Sequence, residues 1–329
     1  MSVTITPIKP EIGVEVTGLS GAAFVDPDVA KACEAALDAH GVVVYRDAHI
    51  DDDDLIAFSH MLGPVHIWPN NDEQKRELGI VSLDPTVAKN ASVQRGTFNW
   101  HIDDDDLIAF SHMLGPVHIW PNNDEQKREL GIVSLDPTVA KNASVQRGTF
   151  NWHIDGTMAD YPHRITLLSC IDPANDGSGD TEFANTYAAY NALSDDDKAE
   201  IDDLQVHYSY LNRTHLDHPH VTEQTIAAYE KYPPRDRPLV WKHRTGRKSM
   251  LLGSTASEVN GWPTERGRAL LDRLLEWSTQ RRFTHRHHWE RGDLVVWDNT
   301  GVLHRAHSYE PESGRLLHRT TIDGDETVE

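Results

Sequence analysis

Residues 151–157 read NWHIDGT, and the chain spells His-Ile-Asp twice before that, at His49-Ile50-Asp51 and His101-Ile102-Asp103. A histidine and a carboxylate two positions apart on an extended strand project to the same side, so each triplet offers two donors to one divalent ion. The triplet alone carries little weight. A chain with 20 His and 52 acidic residues produces such spacings by chance, and His215-Leu216-Asp217 is a fourth example. An exposed polar turn is the ordinary reading of each, and only the flanking residues separate them.

Residues 49–100 recur letter for letter as 101–152; the match ends at Ala48 against Trp100 and at Asp104 against Gly156. Units of solenoid proteins drift apart, and three or more must stack before they bury a core. Two flawless copies are instead a recent tandem duplication or a sequence-assembly error, with the shared His-Ile-Asp as crossover point. Removing one 52-residue copy leaves 277 of the 329 residues, a comfortable size for one enzyme domain. A single domain over 1–329 is therefore expected, with one of the copies 49–100 and 101–152 displaced as an insertion. Because crossing inside a strand or helix breaks backbone hydrogen bonds, the crossover belongs in a surface loop such as PNNDEQK (69–75) or SLDPTVAKNAS (82–92).

Composition narrows the function classes. No apolar run approaches the roughly 20 residues that span a bilayer, and MSVTITPIKP lacks the basic start and apolar stretch of a signal peptide. Two cysteines, Cys33 and Cys170, make no disulfide framework, so a cytoplasmic location is expected. A formal charge of −21 argues against nucleic acid or an anionic membrane as partner.

Along the chain, DPDVAKACEAALDAHG (26–41) predicts a helix capped by Asp26, with Pro27 in its first turn, Gly41 as its stop and Cys33 on its core face. VVVYR (42–46) comes next as a buried strand. DDDDLIAFSHML (51–62) reads as a helix whose aspartates suit the positive end of its dipole. GIVSL (79–83, again 131–135) and RITLLS (164–169) are strands, DPANDGSGDT (172–181) is turn-rich, and residues 207–238 look irregular. TERGRALLDRLLEWSTQRR (264–282) is amphipathic, and FTHRHHW, DLVVWDN and RLLHRTTI are strand-like. Few helices on a β-rich core make the fold class mainly β with flanking helices, a sandwich or barrel.

A catalytic metal wants a third protein ligand and open positions, and two histidines with one carboxylate suit non-haem Fe(II) and oxygen chemistry. Downstream of WHIDGT come Thr181 in SGDTEFANTYAAY, His304 in WDNTGVLHRA and Arg315 in GRLLHRTTI. In this order the chain resembles the taurine and phenoxyacetate-herbicide branch of the Fe(II)/2-oxoglutarate-dependent dioxygenases. The likeness runs from ITPIKPEIGVEVTGL through LGPVHIWP, WHID, GSGDTEFANTYAAYNAL and GRKSMLLG to GDLVVWDNTGVLHRA, over nearly the whole chain once one copy is removed.

The resemblance implies a double-stranded β-helix (jelly-roll) core and a hydroxylation that consumes 2-oxoglutarate and O2 and releases succinate and CO2. His153, Asp155 and His304 match the family's metal ligands. Arg315 and Thr181 match the groups that hold 2-oxoglutarate, and a guanidinium fork fits a carboxylate in a bidentate way. Arg319 matches the position that receives the substrate's anionic group. In HIWP, Trp68 (and its twin Trp120) stands where the taurine enzymes carry a second histidine. That indole either faces a larger, flatter acid of the aryloxyacetate kind or is plain packing. Asp298 and Asn299 are expected to form the turn that sets His304. The triplets at 49 and 101 lack a threonine at the matching distance and precede a helix, so only the third is expected to bind metal. A small anionic organic substrate is implied, and a homo-oligomer stays open. So do desaturation or another oxidative rearrangement on the same scaffold, and an inactive metal-binding protein crippled by the duplication.

Overall fold

The computed structural model describes residues 3–66, 81–82, 150–212, 233–310 and 313–329. The chain begins with β1 (Thr4–Pro7) and β2 (Val14–Thr17), then α1 (Pro27–His40), β3 (Val42–Tyr45), α2 (Asp52–Leu62) and β4 (Val81–Ser82). β5 (Ile165–Asp172) and β6 (Thr181–Asn185) lead into two short helices, α3 (Thr186–Asn191) and α4 (Asp195–Ile201). Next come β7 (Gln205–Tyr208), β8 (Arg235–Pro238), β9 (Val240–Lys242), β10 (Lys248–Met250) and β11 (Ala256–Val259). α5 (Thr264–Ser278), β12 (Thr284–His287), β13 (Leu294–Asp298), β14 (Val302–Ala306) and β15 (Leu316–Ile322) close the chain. The fold is mainly β with flanking helices, as the sequence implies.

A seven-stranded sheet, ordered β1-β2-β3-β13-β5-β15-β4, is the spine, and a three-stranded sheet, β12-β6-β14, packs on one of its faces. The run VVVY explains how. Val42 and Val44 of β3, with Val295 and Trp297 of β13, meet Phe183 and Val302 of the smaller sheet. Val43 and Tyr45, with Leu294 and Val296, face the other way onto Phe24, Cys33, Leu37 and Phe58 beneath α1 and α2. A strand covered on both faces reads as an unbroken apolar run rather than an alternation. Each such side chain fully buried contributes about 1.5–3 kcal/mol. A third cluster, around Tyr208, Trp241, Leu271 and Phe283, holds α3 and α5 to the strands between them.

The helix ends follow their capping chemistry. The Asp26 carboxylate accepts from the Asp28 N–H at 2.9 Å, and α1 stops at Gly41 with φ +75°. Asp51 caps α2, accepting from the Asp54 N–H at 2.8 Å. Cys33 and Cys170 are both buried free thiols.

Two expectations are corrected. The region 207–238 is not irregular throughout: β7 and β8 pair with each other, and β7 also pairs with β11. β7 (QVHY) alternates over only four residues, too few to stand out, and β8 (RDRP) is charged and ends in proline, so no apolar alternation announced it. The last helix ends at Ser278 rather than at residue 282. The described fold takes residues 49–66 and β4 from copy one and Phe150 to Trp152 from copy two. The triplet at 101, the second GIVSL strand and both loops named for the crossover lie wholly or mostly outside the described residues. Among the described residues, no helix is long and apolar enough to cross a membrane.

Candidate metal centre

His153 and His304 are brought together by backbone. Each donates its N–H to the other's carbonyl, at 3.1 Å from His153 and 2.9 Å from His304, an isolated antiparallel bridge between β14 and the chain before β5. β14 carries His304 opposite Phe183 of β6 and Ala306 opposite Thr181. Residues facing each other across antiparallel strands, and those two apart along one strand, share a face. Thr181, Phe183 and His304 therefore look the same way, toward the large sheet, where Phe183 and the His304 ring both meet Trp297.

Asp155 enters through the next turn. Thr157 donates its hydroxyl to the Ile154 carbonyl at 2.8 Å, and Gly156 adopts φ +73°. A Cβ there would come within 2.8 Å of the His163 nitrogen, so only glycine fits. Gly253 is likewise required, because a Cβ on it would come within 2.6 Å of the Trp152 carbonyl.

The result is a tight set of donors. One donor atom each from His153, Asp155 and His304 lies within 4.8 Å of the others, and the imidazole centroids are 4.1 Å apart. The carboxylate oxygens stand 3.5 Å from His153 Nε2 and 3.6 Å from His304 Nε2, too far for good hydrogen bonds. Donors each about 2.1 Å from one shared ion are about 3–3.4 Å apart. Buried Asp155 Oδ2 finds no hydrogen-bond partner among the described residues. His153 Nδ1 sits 3.0 Å from the Asn151 carbonyl, a contact that places the proton on Nδ1 and leaves the Nε2 lone pair for a ligand bond. Burial alone would raise the Asp155 pKa, but His304, His153 and Arg319 hold the carboxyl well below the usual range. The residues present fit a divalent metal.

The other sequence-predicted residues fall around this set. Arg319, on β15 beside β5, brings a guanidinium nitrogen to 3.7 Å from Asp155 Oδ2. Arg315, one residue before β15, is 5% exposed, and burial lowers its pKa. Its guanidinium lies 4.6 Å from the Tyr309 ring centre, Gly179 backs onto its stem, and no carboxylate of the described residues pairs with it. A buried guanidinium lacking a carboxylate is a standing demand for an anion. Thr181 Oγ1 accepts from Trp289 Nε1 at 3.1 Å, which frees its hydroxyl proton to donate elsewhere. Asp298 and Asn299 do form the turn before β14: Asp298 accepts from the Thr300 N–H at 2.9 Å, and Asn299 accepts from Trp297 Nε1 at 3.0 Å. Trp68 and Trp120 lie outside the described residues, as do His215, His218 and His220. His207 is occupied by Asp236 at 2.8 Å. Sequence reasoning missed Asn151, Trp289 and Tyr309. Asn151 supports His153 from two residues away, Tyr309 meets Arg315 within the connection from β14 to β15, and Trp289 reaches Thr181 from the segment after β12.

Comparison with known proteins agrees with this chemistry. The family described as taurine catabolism dioxygenase TauD, TfdA matches residues 4–105 and again 95–321. The two stretches overlap where one copy of the repeat gives way to the next. The α-ketoglutarate-dependent 2,4-dichlorophenoxyacetate dioxygenase of Cupriavidus pinatubonensis is 31% identical, over 100% of both chains. The (S)-phenoxypropionate/α-ketoglutarate dioxygenase of Sphingobium herbicidovorans is 30% identical, over 70% of this chain and 81% of its own. Among solved structures, AAD-2 in complex with Mn(II) and N-oxalylglycine superposes with a TM-score of 0.69 at 25% identity, over 100% of both chains. The chain belongs to the TauD/TfdA family and is a 2-oxoglutarate-dependent dioxygenase that works with Fe(II), 2-oxoglutarate and O2.

Proposed function

We propose that this dioxygenase hydroxylates a small organic acid of the aryloxyacetate kind, held by its anionic group at Arg319. The observation that carries this reading is the Arg319 guanidinium 3.7 Å from Asp155, an anion receptor at the edge of the metal set. The herbicide-degrading relatives support the aryl part of the substrate, and Trp68 or Trp120 is the proposed indole wall against it. Cytoplasmic action is part of the same reading, as is a jelly-roll built from the seven-stranded and β12-β6-β14 sheets.

His153, Asp155 and His304 are the proposed metal ligands. When bound, Fe(II) with 2-oxoglutarate and O2 supplies the oxidising chemistry, and the products are succinate, CO2 and the hydroxylated acid. The protein's own residues position and shield. The Asn151 carbonyl fixes the His153 tautomer, and Asp155 stays ionised. Arg315 holds the distal carboxylate of 2-oxoglutarate with a hydrogen bond from Thr181, while Tyr309 and Gly179 shape its cradle. Charge balance favours this division of labour. Asp155, a dianionic keto acid and a monoanionic substrate together offset Fe(II), Arg315 and Arg319, so the closed site is neutral. No step needs a side chain to move a proton. The rate enhancement rests on orientation and on exclusion of water.

The test is succinate release from 2-oxoglutarate with 2,4-dichlorophenoxyacetate, taurine and an alkyl sulfate offered in turn. Hydroxylation of the carbon between the ether oxygen and the carboxylate gives a hemiacetal that collapses to a phenol and glyoxylate, so phenol release reads the site of attack. Coupled turnover with the aryloxy acid alone is expected, and coupling only with taurine would overturn the assignment.

A further inference from the structure

We propose that His66, His163 and Asp323 form a second divalent-metal site, outside the 2-oxoglutarate centre, that clamps the turn after Asp155 to the end of β15. One donor atom from each lies within 4.8 Å of the others. His66 Nδ1 is 2.7 Å and His163 Nδ1 3.4 Å from the same Asp323 oxygen, and the two imidazole centroids are 4.6 Å apart.

The three donors come from three distant segments fixed by main chain rather than by pliant side chains. The His66 N–H donates to the Thr321 carbonyl at 2.7 Å, and the Asp323 N–H donates to the Pro64 carbonyl at 2.8 Å. Arg164, beside His163, donates its N–H to the Ile322 carbonyl at 2.9 Å. Backbone placement of this kind is what gives a metal site its geometry before the ion arrives.

Protonation also suits ligation. Burial, with help from His163 and Arg319, lowers the His66 pKa against the pull of Asp323, which favours the neutral imidazole a metal needs. Burial opposes ionisation of Asp323, but His163 and His66 outweigh it and keep the carboxylate charged. Two imidazoles and one carboxylate, none wholly enclosed, match a borderline first-row ion such as Zn(II) with water completing its shell.

The location gives the site a consequence. His163 packs on Gly156, the residue after Asp155, and Asp323 lies four residues beyond Arg319, just past the end of the strand that carries it. An ion here ties the turn that presents Asp155 to the strand that presents Arg319, and it adds positive charge behind the substrate's anion receptor.

The experiment counts metal on the full-length chain after chelation, with Zn(II) or Co(II) as probe in equilibrium dialysis. Wild type is expected to bind two ions per chain, and a His153→Ala, His304→Ala variant one. In that background Asp323→Asn and, separately, His163→Ala should each lose the remaining ion and abolish the Zn(II)-induced rise in melting temperature. Circular dichroism confirms that each variant is folded. His66 is left untouched because the repeat carries an identical residue, His118, in the same local sequence. A single ion in wild type that vanishes with His153 and His304, or a second ion that survives both Asp323→Asn and His163→Ala, would overturn the proposal.

Discussion

His49-Ile50-Asp51 and His153-Ile154-Asp155 are the same three residues in two settings. The isoleucine behaves alike in both and is 4% exposed in each. The polar residues part company. His49 adopts φ +43°, turns its ring to Asp47 at 2.7 Å and remains half in solvent. Asp51 commits its carboxylate to the first turn of α2. At the third triplet no helix comes next to claim the carboxylate, and His304 closes the set from β14. A triplet able to hold a metal is thus made by the strand opposite it and the turn downstream of it, not by its own letters.

The sharpest way to break that contrast is to delete donors on each side. His153→Ala, Asp155→Ala or His304→Ala should abolish Fe(II)-dependent succinate release, while His49→Ala and His101→Ala should leave it nearly intact. Loss of turnover in a folded His101→Ala protein would move the site to the wrong copy.

Next in size is the pair of arginines. Arg315→Ala removes a charge-assisted, bidentate contact in a buried setting, worth on the order of 2–5 kcal/mol. The 2-oxoglutarate requirement should accordingly rise by about 30-fold or more, read as its apparent KM. Arg319→Ala should weaken the organic acid instead and leave substrate-free 2-oxoglutarate decay less affected. Equal changes in both parameters from both variants would contradict the division of labour.

Deleting residues 49–100 probes the repeat itself. Any 52-residue excision beginning between 49 and 104 yields the same 277-residue chain, and closing a loop of that length costs roughly 3–4 kcal/mol. The shortened protein should gain stability of that order in urea unfolding and keep its activity. An unfolded product would make the second copy structural. The smallest effect belongs to Asp51→Ala, which removes a helix cap and should cost about 0.5–2 kcal/mol with metal binding unchanged.

What the sequence made legible was what local rules write. The caps of α1 and α2, the doubly covered run of β3 and the turn at Asp298-Asn299 each rest on a few adjacent residues. The donor set was legible through motif order and the family likeness, since His304 lies 151 positions after His153 and no periodicity spans that gap. Strand β7 escaped because its alternation is only four residues long, and β8 because its charged residues conceal which positions are buried. The Tyr309 ring against Arg315 depends on how the connection from β14 to β15 folds back on itself, and the meeting of His66, His163 and Asp323 arises only when three distant segments are brought together.

The slot occupied by residues 49–66 has a further implication. The chain carries that same stretch again as 101–118, so the fold includes its own competitor for one of its parts. Two threadings of one polypeptide can then present the same α2 to the same groove beneath Phe24 and Tyr45. At high concentration, the spare stretch of one molecule can equally fill the groove of another. Such an exchange links copies of a protein without inventing any new interface. A repeat that leaves the candidate metal centre untouched thereby supplies a ready route to swapped oligomers.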